Sequence, residues 1–162
     1  MRLYLVQHAQ ATSKDANPKR PLTEQGRRDA EKVAAFAKPL GLCVDYVWHS
    51  GKTRAAQTAE ILAPVVQVTE ETAGRDGLAP NDDVKAFRDD IEAAQRDVML
   101  VGHLPFLSKL ASLLLTGSES AEPVAFRQAG IVCLEYSDTS RWQLVWMVTP
   151  EILHEQSGER RV

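Results

Sequence analysis

The chain has 162 residues, 44% apolar and 25% charged, which suits one domain with a real core. Its net charge of −3 and pI near 5.8 leave no basic face of the kind nucleic-acid binding needs. No apolar run reaches the roughly 18–20 residues of a membrane span, and the start, MRLYLVQHAQ, lacks the apolar core and cleavage site of a secretory signal.

Leu3 to Val6, within residues 2–7, form an apolar run that reads as a buried strand. Ala9 to Pro21 are polar and rich in turn formers, a loop long enough to suggest a role. Thr23 suits a helix N-cap, Ala30, Val33, Ala34 and Ala37 recur at helical spacing, and Gly41 suits the stop. Tyr46-Val47-Trp48 read as a short strand. Ser50 is a second N-cap candidate for a helix carrying Ala55, Ala59 and Leu62, which Pro64 ends. Asn81 is expected to cap a third helix with Val84, Phe87, Ile91 and Ala94 on its inner face. Val98 to Val101 form another buried strand. Pro105 opens a fourth helix with Leu107, Leu110, Ala111 and Leu114, closed by Gly117. Ile131–Tyr136 and Trp142–Val148 flank a polar turn and read as an antiparallel hairpin.

Strands alternating with helices predict an α/β fold: a three-layer sandwich around a mostly parallel sheet, with the hairpin at one edge. Residues 1–150 form a single domain in this reading, and 151–162 a polar, frayed tail. Cys43 and Cys133 lie in no metal-ligand spacing and are expected to be free, buried thiols. That pattern fits the cytoplasm.

In such a sheet, ligands bind outside the carboxyl ends of the strands. Three features fall at that edge: Gln7-His8-Ala9, Ser50-Gly51-Lys52-Thr53-Arg54, and Gly102-His103-Leu104-Pro105. Two histidines ending buried strands, with an arginine in the first turn of a neighbouring helix, predict an anion pocket. A lone strand-end histidine is more often structural, and zinc is the competing use of a pair. Neither histidine, however, has a partner at the spacing of helical zinc motifs. No metal or organic cofactor is implied. A Gly-rich loop with lysine and a GxSxG elbow are both missing, which disfavours nucleotide hydrolysis and serine hydrolase chemistry.

LYLVQHAQA, KRPLTEQG, HSGKTRAAQTAE and LVGHLPFL, in that order, resemble the four motifs of the histidine phosphatase superfamily, with its phosphoglycerate mutase-like fold. Size and the GLAPNDDV segment look most like SixA-type phosphohistidine phosphatases. The resemblance implies that His8 is phosphorylated, that Arg54 and His103 hold phosphoryl oxygens, and that Arg20 joins the pocket or its rim. The implied partner is a protein carrying a phosphohistidine.

Two residues depart from the family pattern: Gln7 replaces the arginine before the nucleophile, and Ala9 replaces the following glycine. Gln7 still donates hydrogen bonds to phosphate but carries no charge. No acidic residue stands out as the general acid of ester-cleaving relatives, and Asp76 is the nearest candidate by position. His49 and Lys52 read as flanking surface groups and His154 as inert. A phosphoimidazole leaves as a group titrating near neutrality, so it needs an acid less than an alkoxide does. The reading is therefore a phosphohistidine phosphatase. The alternatives are a small phosphoester phosphatase of the same superfamily, or a non-catalytic phosphate- or partner-binding homologue lacking the usual arginine.

Overall fold

The computed structural model describes residues 1–154. Its first strand, β1 (Arg2–Gln7), contains the apolar run, and Leu3–Val6 are buried. Helix α1 (Glu24–Ala37) begins where the Thr23 hydroxyl accepts the Gly26 amide, and it buries Ala30, Val33, Ala34 and Ala37. A 3-10 turn then runs into Gly41 at φ 61°, a left-handed conformation that glycine adopts without a Cβ clash. Next come β2 (Cys43–His49) and α2 (Thr53–Leu62), with Pro64 in the turn that ends the helix. After β3 (Gln67–Gly74) follow α3 (Val84–Ala94), β4 (Val98–Gly102) and α4 (Phe106–Thr116), the last closed by Gly117 at φ 80°. The hairpin of β5 (Ile131–Tyr136) and β6 (Trp142–Val148) has the bounds read from the sequence.

The sheet order is β3-β2-β4-β1-β5-β6. Strands β1 to β4 run parallel, while β5 pairs antiparallel with β1 and β6 forms the edge. Alternation along the strands splits the core. Leu3, Leu5, Val98 and Leu100 meet α3 and α4, whereas Tyr4, Val6, Met99 and Val101 meet α1 and α2. The fold is therefore the α/β three-layer sandwich expected. In β2 the alternation slips: the amides of Asp45 and Tyr46 both donate to Asp97 O, at 2.8 and 3.4 Å. This is the geometry of a bulge. Val44 and Val47 consequently face one layer, and Tyr46 and Trp48 the other.

Four expectations need correction, and one strand, β3, was not read from the sequence. β3 carries no readable alternation, because it is an edge strand whose residues are mostly solvated on both faces. Asp83, not Asn81, caps α3 by accepting the Lys85 amide. Ala94 is exposed, since it is the last residue of α3 before the chain turns left-handed at Gln95. Cys133 is buried but Cys43, at the solvated start of β2, is exposed. Beyond Val148 the chain stays packed: Pro150 is buried in a 3-10 turn, and Leu153 packs on the α1/α2 layer. Residues 155–162 of the expected tail lie outside the described residues. No helix among the described residues is long and apolar enough to cross a membrane.

Candidate active site

Strand order decides where the chemistry gathers. β1, β4 and β2 are neighbours, with Gln7 paired to Gly102 and His49 to Val101. The His8, His103 and Ser50 segments therefore emerge side by side at the carboxyl edge of the sheet. The rings of His8 and His103 lie 5.1 Å apart, centroid to centroid.

His8 is buried, and its backbone amide donates to Gly102 O at 3.0 Å. Its Nδ1 lies 2.7 Å from Ala9 O. A carbonyl only accepts, so Nδ1 carries the hydrogen and Nε2 is left with a lone pair. Burial holds the ring below the usual histidine pKa, and the charges of Arg54 and Arg20 push the same way. His8 thus keeps its Nε2 lone pair free, and its surroundings favour the uncharged ring.

His103 is 2% exposed. Burial first, then Arg54, His8, Lys52 and Arg20, push its pKa down to about 3. Its Nε2 lies 2.5 Å from Ser50 Oγ, while Nδ1 is buried without a partner among the described residues. This corrects the role expected of Ser50. The N-cap position of α2 falls to Lys52, which makes no side-chain cap, and the Ser50 hydroxyl is spent on His103.

Arg54 stands in the first turn of α2, where burial and Arg20 lower the pKa of its guanidinium. Its Nε is also buried without a partner. Arg20 sits in a left-handed conformation, φ 49°, with Nε donating to Thr12 O at 3.1 Å. The charge of Arg20 is felt at His8, Arg54 and His103 alike. Gln7 adjoins this group with its Oε1 buried and unpaired. A buried polar group left unpaired costs about 1–3 kcal/mol, so the orphaned Arg54 Nε–H and His103 Nδ1 at this edge mark a place shaped for an oxygen-rich ligand, whereas Gln7 Oε1, an acceptor, does not. Arginines 20 and 54 and Lys52 supply the positive field, and among the described residues none of the charges acting on either ring is a carboxylate. The arrangement can bind an anion and present a nucleophile to it.

Asp76 is exposed beside a cavity lined by Arg75, Asp82, Phe87 and Asp90, and it does not act on either histidine. Lys52 is exposed, as expected, yet its charge reaches His103. His49 is half-buried, with Nδ1 accepting the Gly51 amide at 3.1 Å. His154 lines a cavity of about 520 Å³ with Phe36 and Leu153 on the outer side of α1. Among the described residues no three His, Cys, Asp or Glu side chains are grouped as a metal site needs.

Sequence reasoning missed two supports. Thr58 is fully buried; its hydroxyl donates to Arg54 O at 2.8 Å and accepts the Ala9 amide at 3.0 Å. Gln57 Oε1 accepts the Leu22 amide at 2.8 Å, tying the long loop to α2. Both lie in the AAQTAE run, four and three positions after Arg54, where helical spacing turns one face of α2 toward the loops.

The profile of the histidine phosphatase superfamily (branch 1) matches residues 3–79. An uncharacterised protein of Picosynechococcus sp. is 32% identical over 141 residues, 83% of this chain and 84% of that protein. The chain belongs to the histidine phosphatase superfamily. The fold of this superfamily member matches the protein histidine phosphatase SixA complexed with tungstate, with a TM-score of 0.80 and 22% identity over 94% of this chain and 99% of that one. A SixA-type protein from Agrobacterium tumefaciens is 27% identical over 92% and 97% of the two chains, with a TM-score of 0.73. An alpha-ribazole phosphatase from Shigella flexneri shares the fold too, at 15% identity over 93% and 97% and a TM-score of 0.74. Phosphatase chemistry follows from the family; the fold alone does not select the substrate.

Proposed function

We propose that this superfamily member is a phosphohistidine phosphatase acting on a histidine of a partner protein. The observation that carries the reading is the His8 ring: Nδ1–H held by Ala9 O leaves Nε2 as the lone pair at a cationic pocket where, among the described residues, no carboxylate acts on the ring. In the first step Nε2 attacks phosphorus in line. The bond from phosphorus to the substrate imidazole breaks, and the leaving nitrogen takes a proton from solvent. In the second step water attacks the phosphohistidine on His8, a proton is lost, and inorganic phosphate leaves. Arg54, His103 and Arg20, with the Gln7 amide N–H, hold the equatorial oxygens, where charge develops and preorganised donors gain most. Neither step is routed through a metal or organic cofactor. The free thiols of Cys43 and Cys133 support a cytoplasmic setting.

The absence of a carboxylate acting on either ring, among the described residues, supports this substrate class. An alkoxide leaving group needs a positioned acid, whereas an imidazole titrating near neutrality does not. The test compares phosphate release from a phosphohistidine protein and from an alkyl phosphomonoester, each with and without chelator. The P–N substrate is expected to lead by about 10²–10⁴-fold, the usual contribution of a general acid, with chelator making no difference. A trapped phosphoenzyme should be acid-labile, alkali-stable and lost in His8→Ala. Equal rates on both substrates, dependence on a metal, or an active His8→Ala protein would overturn the reading.

A further inference from the structure

The Ser50–His103 pair defines a proton position that the phosphatase reading leaves open. Neutral imidazole carries one N–H, so His103 has two possible arrangements. Either Nε2–H donates to Ser50 Oγ and Nδ1 offers a lone pair, or the Ser50 hydroxyl donates to Nε2 and Nδ1 carries the hydrogen. Three observations separate them. Ser50 Oγ already accepts the Lys52 amide at 3.3 Å. If it also accepted from Nε2, its own hydrogen would have no acceptor among the described residues. His103, 2% exposed, holds a buried Nδ1 without a partner among the described residues, and Arg54, whose Nε is also buried and without one, acts on the same ring. Finally, the charges around the ring are Arg54, Lys52 and Arg20, a field that draws an anion and favours its deprotonated, accepting oxygens.

We infer that Ser50 is a positioning residue that fixes His103 as the Nδ1–H tautomer, so that a neutral His103 donates Nδ1–H to a bound phosphoryl oxygen. The serine hydroxyl relays direction, not charge: Lys52 N–H orients Oγ, Oγ–H orients the ring, and Nδ1–H is left aimed at the oxyanion. This device suits a ring that burial keeps neutral, since a neutral histidine in the other tautomer would turn a lone pair toward the phosphoryl group. The role of Ser50 rests on the phosphatase reading only for its kinetic consequence. The tautomer itself belongs to the ligand-free protein.

The experiment therefore has two arms. Long-range ¹H–¹⁵N correlation spectra of the histidine rings, with His103 assigned by its loss in His103→Gln, read the tautomer directly. The wild type is expected to show a protonated Nδ1 and a bare Nε2, and Ser50→Ala to show a tautomer mixture with the His8 signals unmoved. A bare Nδ1 in the wild type would overturn the inference whatever the substrate proves to be. In the second arm, tungstate and inorganic phosphate binding is titrated in wild type, Ser50→Ala and Ser50→Thr. Losing the fixed donor should weaken binding by about ten-fold in Ser50→Ala, and the threonine hydroxyl should restore most of it. On the phosphohistidine substrate the same loss should fall on kcat more than on KM. Unchanged tungstate affinity in Ser50→Ala, or a threonine variant as weak as alanine, would overturn the role.

Discussion

The Thr58 hydroxyl accepts the Ala9 amide at 3.0 Å while donating to Arg54 O at 2.8 Å, so one buried side chain sets the spacing between the turn behind His8 and the helix that carries the guanidinium. Ala9 O is also the group that orients the His8 ring. Thr58→Val keeps the shape and removes both bonds. It should cost about 1–3 kcal/mol of stability, the penalty of leaving a buried donor unpaired, and lower kcat/KM on a phosphohistidine protein by about ten-fold or more. Thr58→Ser should retain most of both. Denaturant midpoints and initial rates on the three proteins check this, and a valine variant with wild-type rates would show that the tie is structural only.

Stability should fall as the medium is acidified, and His103 should be a main reason. Its folded pKa is about 3, against about 6.5 in an unfolded chain. Between those values the unfolded chain binds a proton on this ring and the folded chain does not, so acidification favours unfolding, by up to about 1.4 kcal/mol per pH unit. Above pH about 6.5 both states are neutral and the effect is fully absent. His8, also depressed, acts in the same direction. Urea midpoints of wild type and His103→Gln at pH 7.5, 6 and 5 measure it: the wild type should lose more over this range, and parallel losses would contradict it.

Gln7 brings an uncharged amide to a position where the family's motif has arginine. A charge-assisted hydrogen bond is worth roughly 1.5–3 kcal/mol against about 0.5–1.5 for a neutral one, a difference on the order of ten-fold in transition-state binding. Gln7→Arg is expected to raise kcat/KM and tighten inhibition by phosphate. A slower enzyme with unchanged phosphate inhibition would mean that Arg20 and Lys52, whose charges already reach His103, compensate for the missing cation.

Gly26 is the point where α1 lies directly on the loop behind His8. A Cβ there would sit 2.1 Å from Gln10 O, and the obstacle is backbone. Gly26→Ala should therefore push α1 off the loop and cost about 1–3 kcal/mol, as overpacking usually does, despite alanine's better helix propensity. A urea midpoint equal to or above that of wild type would show that the loop gives way freely.

Wherever one face of an element is buried and the other solvated, residue spacing reports the element directly. That is why α1 was legible in the sequence. β1 and β4 were legible for the opposite reason, burial on both faces, which leaves a continuous apolar run between polar ends. Turn residues bound α4 and the β5–β6 hairpin, and the strand-end positions of His8 and His103 and the first-turn position of Arg54 on α2 were legible with them. β3 was not legible, because an edge strand solvated on both faces carries no such period. The site's internal wiring was illegible for a different reason. Ser50 offers one hydroxyl that serves equally as a helix cap or as a histidine partner, and the choice rests on His103, 53 positions away. Thr58 reaches 49 positions back to Ala9. Side-chain type and local spacing constrain what a residue can do, but a hydrogen bond acts over about 3 Å, so only the packing of β1, β4 and α2 decides which partner is within reach.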